Sequence, residues 1–166
     1  MIAAVLVCGM VGFGALAFGG SITDLDEKNG FRDLKCGDAL PEGMRMTEES
    51  GDEKYYTRQE SLTIGAGTVT EIAYGFYKGQ LGAVQIRTKG LINSNAVQQA
   101  FEAAYGHPTQ PNRFLEHYYW LGEKVSLAFK QNPVTNDALA IILCKSIQEK
   151  KKQDNQIKAQ KGKGDL

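Results

Sequence analysis

Thr68-Val69-Thr70-Glu71-Ile72-Ala73-Tyr74-Gly75-Phe76-Tyr77-Lys78-Gly79-Gln80-Leu81-Gly82-Ala83-Val84-Gln85-Ile86 is the stretch that decides the fold. Its first half alternates. Thr70, Ile72, Tyr74 and Phe76 fall on one face of an extended chain, and Glu71, Ala73 and Gly75 on the other. Lys78-Gly79 supplies a turn, and Val84 and Ile86 follow on a second strand, so the stretch predicts a long antiparallel hairpin. Two registers are open. A two-residue loop at Lys78-Gly79 pairs Phe76 with Leu81 and sets Ile72 on the face of Gln85 and Arg87. A three-residue loop, Tyr77-Lys78-Gly79, puts Gly79 at the left-handed position of a bulged hairpin. It gathers Ile72, Tyr74, Phe76, Val84 and Ile86 on one face. A one-residue slip turns a strand over, so the apolar grouping selects the longer loop.

C-terminal to the hairpin, Val97, Ala100, Phe101, Ala104 and Tyr105 recur at helical spacing and predict a helix over 94–105. Asn93, Ser94 or Asn95 can cap it, Leu91 and Ile92 can staple it, Gly106 ends it and Pro108 forbids continuation. Phe114 to Leu121, Val125 to Lys130 and Ala138 to Cys144 predict three more strands. N-terminal to the hairpin, Tyr55 to Arg58 and Leu62 to Ile64 predict short strands. Glu48 to Glu53 is expected to be an acidic loop, and a short helix is expected around Asp38. The fold class is therefore α+β: an antiparallel sheet of about six to seven strands, with one firm helix (94–105) and one short helix packed on it. The expected organisation is a signal segment at 1–17, a linker at 18–30, one domain at 31–145 and a Lys-rich tail at 146–166, helical or disordered.

An apolar fraction of 42% and a charged fraction of 23% argue against wholesale disorder. Lys plus Arg equals Asp plus Glu at 19 each, so no nucleic-acid partner is expected from global charge. The start of the chain is different. Met1 to Gly20 carries no charged side chain, and Ala15-Leu16-Ala17 places small residues for signal cleavage after Ala17. Such a segment ordinarily opens with Lys or Arg, and Met1-Ile2-Ala3-Ala4 has none. The true start lies upstream, or the terminal amine is the only positive charge there. Retained, the same twenty residues are just long enough to anchor in a bilayer. Membrane contact is expected only in that case.

Cleavage leaves two cysteines, Cys36 and Cys144, and export permits a bridge between them. The alternative is that Cys144, ending the run Leu139-Ala140-Ile141-Ile142-Leu143, is a small buried hydrophobe.

Catalytic and metal motifs are not legible. His107 lies in the helix-stop turn Gly106-His107-Pro108. His117 neighbours Glu116 on a strand, where the two point to opposite faces. Neither has a ligand at zinc spacing. Ser61, Ser94 and Ser126 lack a nucleophile-elbow context, and Gly65-Ala66-Gly67-Thr68 lacks the Lys and helix of a phosphate loop. No cofactor is expected. The run Tyr118-Tyr119-Trp120 is more informative. Consecutive strand residues point to alternate faces, so with Tyr77 it suggests an exposed aromatic binding surface, unless both faces are covered.

Phe31-Arg32-Asp33-Leu34-Lys35-Cys36-Gly37, the segment Ile72 to Leu81, Phe101 to Pro108 and Tyr119-Trp120 together resemble a group of small exported bacterial proteins of uncharacterised function. The resemblance spans about residues 30–145, and its motifs are structural. It implies an envelope location, periplasmic or secreted, and brings no catalytic residue. The expected function is a non-enzymatic domain that binds a protein or peptide partner in the cell envelope. The alternatives are an envelope enzyme or small-ligand carrier with a cleft near His117, and a membrane-tethered structural protein.

Overall fold

The hairpin forms, but around the shorter loop. The computed structural model describes residues 19–162. In chain order its elements are α1 (Ile22–Lys28), β1 (Gly30–Phe31), β2 (Leu34–Lys35), β3 (Arg45–Ser50), β4 (Glu53–Thr57), β5 (Thr63–Ile64), β6 (Gly67–Tyr77), β7 (Gln80–Thr88), α2 (Leu91–Tyr105), β8 (His117–Leu121), β9 (Val125–Gln131), β10 (Ala138–Cys144) and α3 (Lys145–Gly162). The expected signal segment and its cleavage point after Ala17 lie outside the described residues.

Tyr77 pairs with Gln80 across Lys78 and Gly79. Their φ angles of 49° and 78° form the left-handed pair that matches a two-residue turn to strand twist. The expected three-residue loop is therefore corrected, yet the apolar grouping that argued for it is present. A bulge reconciles them. Phe76 pairs with Leu81 and Gly75 with Ala83, which leaves Gly82 as an extra residue in β7. Beyond it β7 is turned over, so Tyr74 meets Val84 and Ile72 meets Ile86. Ile72, Tyr74, Phe76, Leu81, Val84 and Ile86 all enter one core.

The main sheet is antiparallel, in the order β3-β4-β6-β7-β10-β9-β8, with β5 pairing the start of β6. The α+β class stands, with one strand more than expected and three helices. α1 and α2 cover one face. From α2, Ser94, Val97 and Phe101 are buried, and Phe101 meets Trp120 edge-on at 6.1 Å. Two glycines permit this approach. A Cβ on Gly67 would lie 2.8 Å from Val97 Cγ2, and one on Gly65 2.7 Å from Ala100 Cβ. The Gly-x-Gly motif is a helix-packing device.

Several boundaries differ. The firm helix begins at Leu91, behind Gly90, so the expected caps Asn93, Ser94 and Asn95 lie inside it. Leu91 and Ile92 are exposed rather than stapled. The short helix is not at Asp38. It is α1, inside the expected linker, where Leu25 is fully buried and the Asp24 carboxylate accepts the Ser21 backbone N–H at 2.6 Å. Gly20 donates its N–H to Ala103 O at 3.0 Å, so the ordered domain starts well before residue 31. The acidic loop is the hairpin of β3 and β4.

The tail is α3, and it docks. Ile147 is buried against Tyr77 and Cys144, and a Cβ on Gly82 would lie 2.7 Å from Ile147 Cγ2. Gln148 Nε2 donates to Gly82 O at 3.0 Å. Asp154 accepts Tyr77 OH at 2.9 Å and Lys78 Nζ at 2.6 Å. Lys151 and Lys158 meet Glu53 and Asp52. The lysines of the tail thus face the acids of the β3–β4 turn.

Cys36 and Cys144 are joined by a disulfide, with their Cα atoms 5.5 Å apart and 108 residues between them in sequence. It fastens the β1–β2 ribbon to the junction of β10 and α3. A loop of that span stabilises by up to about 5 kcal/mol in the chain-entropy view. The Cys36→Ser/Cys144→Ser double variant should lose a stability of that order in urea unfolding, and reductant should shift the wild type but leave the variant unchanged.

Candidate functional site

Alternation along β10 separates a covered face from an open one. Ala138, Ala140, Ile142 and Cys144 are buried, whereas Leu139, Ile141 and Leu143 between them are only half-buried. Strand register extends this across the sheet. One row on the second face runs Tyr55, Gly75, Ala83, Leu143, Ser126, Leu121. The next runs Ala73, Gln85, Ile141, Ala128, Tyr119, and the third runs Glu71, Arg87, Leu139, Lys130, His117. The Tyr55 ring covers Gly75, where a Cβ would lie 2.7 Å from it. α3 crosses this face near the β6–β7 turn. The remainder, with Tyr119, Ile141 and Leu143 half-buried and Leu121 63% exposed, has no covering layer among the described residues.

At the far end of the third row the face deepens into an open trough of about 790 Å³, lined among others by Arg87, Lys89, His117, Lys130, Pro133 and Leu139. Its wall is the loop between β9 and β10, and that loop is held firmly. Asn132 Oδ1 accepts the N–H groups of Val134 (2.8 Å) and Thr135 (3.1 Å). Asn136 is left-handed, with φ 59°. Ser94 Oγ, wholly buried, donates to Asn136 O at 2.8 Å and lies 2.7 Å from Thr88 Oγ1. The Asp137 carboxylate accepts the Gly90 N–H at 2.9 Å. Ser94, weighed above as a nucleophile, thus serves to fix the trough wall.

The expected aromatic surface is dispersed. Trp120 is buried in the core and donates its indole N–H to Gly106 O at 2.7 Å. Tyr77 is buried beneath α3. Tyr118 turns to the core side against Phe129, its phenol bonded to Glu116. Desolvation, then the Glu116 carboxylate, pushes that phenol up to about 12. Of the four, Tyr119 alone lies on the open face. Alternation put Tyr118 and Trp120 together on the covered side, and α3 removed Tyr77. His107 is exposed and pairs with Glu102 at 2.5 Å.

Two charged clusters were not legible in the sequence. Asp26 of α1 reaches the β8–β9 turn and accepts the N–H groups of Glu123 (2.5 Å), Lys124 (2.8 Å) and Val125 (3.0 Å). Desolvation raises its pKa, but the three N–H groups outweigh it and the net direction is down. A Cβ on Gly122 would lie 2.4 Å from that carboxylate, which explains the glycine. The second cluster joins the β1–β2 ribbon to the segment after β4. Glu60 Oε2 pairs with Arg32 and accepts Tyr74 OH at 3.0 Å, with Arg58 Nε at 3.4 Å. Arg58 also binds Asp33, holding that carboxyl down at about 2. Glu60 Oε1 is buried without a hydrogen-bond partner. Among the described residues no three His, Cys, Asp or Glu side chains gather to hold a metal ion.

No family model, curated protein or solved structure matches the chain.

Glu60→Ala leaves Arg32 and Arg58 without their shared carboxylate and should destabilise by about 3 kcal/mol in urea unfolding. Asp33 and Asp26 bind protons less readily folded than unfolded, so their contribution is complete above the ordinary carboxyl value of 3.8 and is lost as pH falls through their lowered folded-state values, about 2 for Asp33. Thermal unfolding followed between neutral pH and about pH 2 should show the melting temperature falling in that acid window. The fall should be shallower for Asp33→Asn.

Proposed function

We propose that this protein is an exported, disulfide-stapled envelope domain that binds a protein or peptide partner on the open face of its sheet. One observation carries the reading: Leu139, Ile141 and Leu143 of the central strand are half-buried on a face that neither α1 nor α2 covers. A central strand ordinarily hides both of its apolar faces. Leaving one wet costs hydrophobic stabilisation, which a partner would restore. The wall of the trough is pre-formed by hydrogen bonds, so little ordering is lost on binding. The Cys36–Cys144 bond is compatible with an oxidising compartment, periplasmic or extracellular. No described helix is long and apolar enough to cross a membrane. The resemblance to small exported bacterial proteins points the same way.

The trough at His117 favours a second reading, a small-ligand carrier. It shares the open face with the first reading but needs no macromolecular partner.

A photo-crosslinking amino acid at Tyr119 tests the leading reading in intact envelopes of the source cells. A defined adduct should appear there and not with the crosslinker at Ile92, which is 84% exposed on the opposite layer. Identical adducts from both positions, or none from Tyr119, would count against it.

A further inference from the structure

Positive charge collects in the trough and is only partly neutralised. His117 lies directly across from Lys130 in the strand register, and Arg87 is two strands further along the same row. Lys89 follows from the end of β7. The acids nearby relieve these charges only in part. Glu71 neutralises Arg87 at 2.9 Å, and the Asp137 carboxylate, which also lines the trough, accepts the Gly90 N–H. Among the described residues Lys89, Lys130 and His117 have no ion-pair or hydrogen-bond partner for their side chains. Lys89 and Lys130 therefore border a concave space instead of pairing with a carboxylate of their own.

The surroundings of these cations decide the kind of anion. Leu139 and Pro133 line the same trough, and the neighbouring row adds Ile141 and Tyr119. A phosphate polymer has charge for the cations but nothing to cover these side chains. A peptide with both carboxylates and apolar side chains satisfies both sets.

We infer that the trough recognises an acidic peptide segment, its carboxylates held by Lys130 and Lys89, with Arg87 and the His117 imidazole as further N–H donors along the row, and an apolar side chain set against Leu139 and Ile141. This rests on the partner-binding reading and names the chemistry of that partner. The geometry also sets a spacing. From β7 to β8 the row crosses three strand intervals, about 14 Å. An extended peptide covers that distance in about four residues, so two acids about four positions apart span the row from Arg87 to His117.

The test is fluorescence anisotropy with labelled, end-blocked peptides of about eight residues. Each carries two Glu residues, two to five positions apart, with Leu between them. The peptide with Glu residues four apart should bind tightest, more weakly as salt rises. Lys130→Glu and Lys89→Glu should each weaken it about tenfold, and replacing Leu by Gln should weaken it too. Both lysines are exposed, and unchanged thermal unfolding verifies that the variants are folded. The proposal is overturned if no peptide binds the wild type below about 1 mM, or if the lysine variants bind equally well. It is equally overturned if inorganic phosphate or a polyphosphate competes fully while the Leu-to-Gln peptide binds unchanged, since the site is then a general anion site. These outcomes are separable from failure of the partner-binding reading. A Tyr119 adduct without acidic-peptide binding removes only the inference drawn here, and absence of any adduct removes the broader reading.

Discussion

One surplus residue, Gly82, is the constraint on which the other parts depend. The tight turn at Lys78-Gly79 fixes where the two long strands begin, and a regular ladder from there would send Val84 and Ile86 to the wrong side. The bulge corrects the faces after a single mismatch. It also needs a residue without a side chain, because Ile147 of α3 occupies the place of its Cβ. The bulged carbonyl then accepts Gln148. The position that assembles the core on one side of the sheet thus anchors a helix on the other.

That division of labour gives the sheet its asymmetry. Two helices seal one face, with Phe101, Trp120 and Phe129 beneath them. Among the described residues the opposite face receives only α3, held mainly by ion pairs and hydrogen bonds at the β3–β4 and β6–β7 turns. Exposed ion pairs of this kind stabilise weakly, so α3 relies on Ile147 and on the disulfide next to its first turn. The rest of the face is apolar in its middle and cationic at one end.

Period-two alternation made the hairpin, the later strands and the α+β class legible, and Gly106-His107-Pro108 marked the end of α2. Other features depended on contacts between distant segments. The tail is polar nearly throughout, and only Ile147 signals that it packs. Its lysines and the acids at Asp52 and Glu53 are each legible as solvated charge, and their pairing appears only when the chain is folded. α1 is short, and a single buried Leu25 fixes it, so the stretch from 18 to 30 has the composition of a linker. Tyr118, Tyr119 and Trp120 could be divided between two faces from sequence, but which face was wet depended on where the helices docked. The trough combines the ends of β7, β8, β9 and β10, and no local motif records it.

β10 lies in the middle of the sheet, between β7 and β9, yet it is the last of the described strands along the chain. A ribosome or translocation channel that releases the chain from its N-terminus therefore presents β7 and β9 with unsatisfied edges until β10 emerges. Cys36 likewise waits 108 residues for the thiol it needs. Partial products cannot close the sheet, and their exposed edges are open to pairing with other chains. Closure of the sheet waits until β10 has emerged, which makes the nascent form dependent on whatever holds it extended until then.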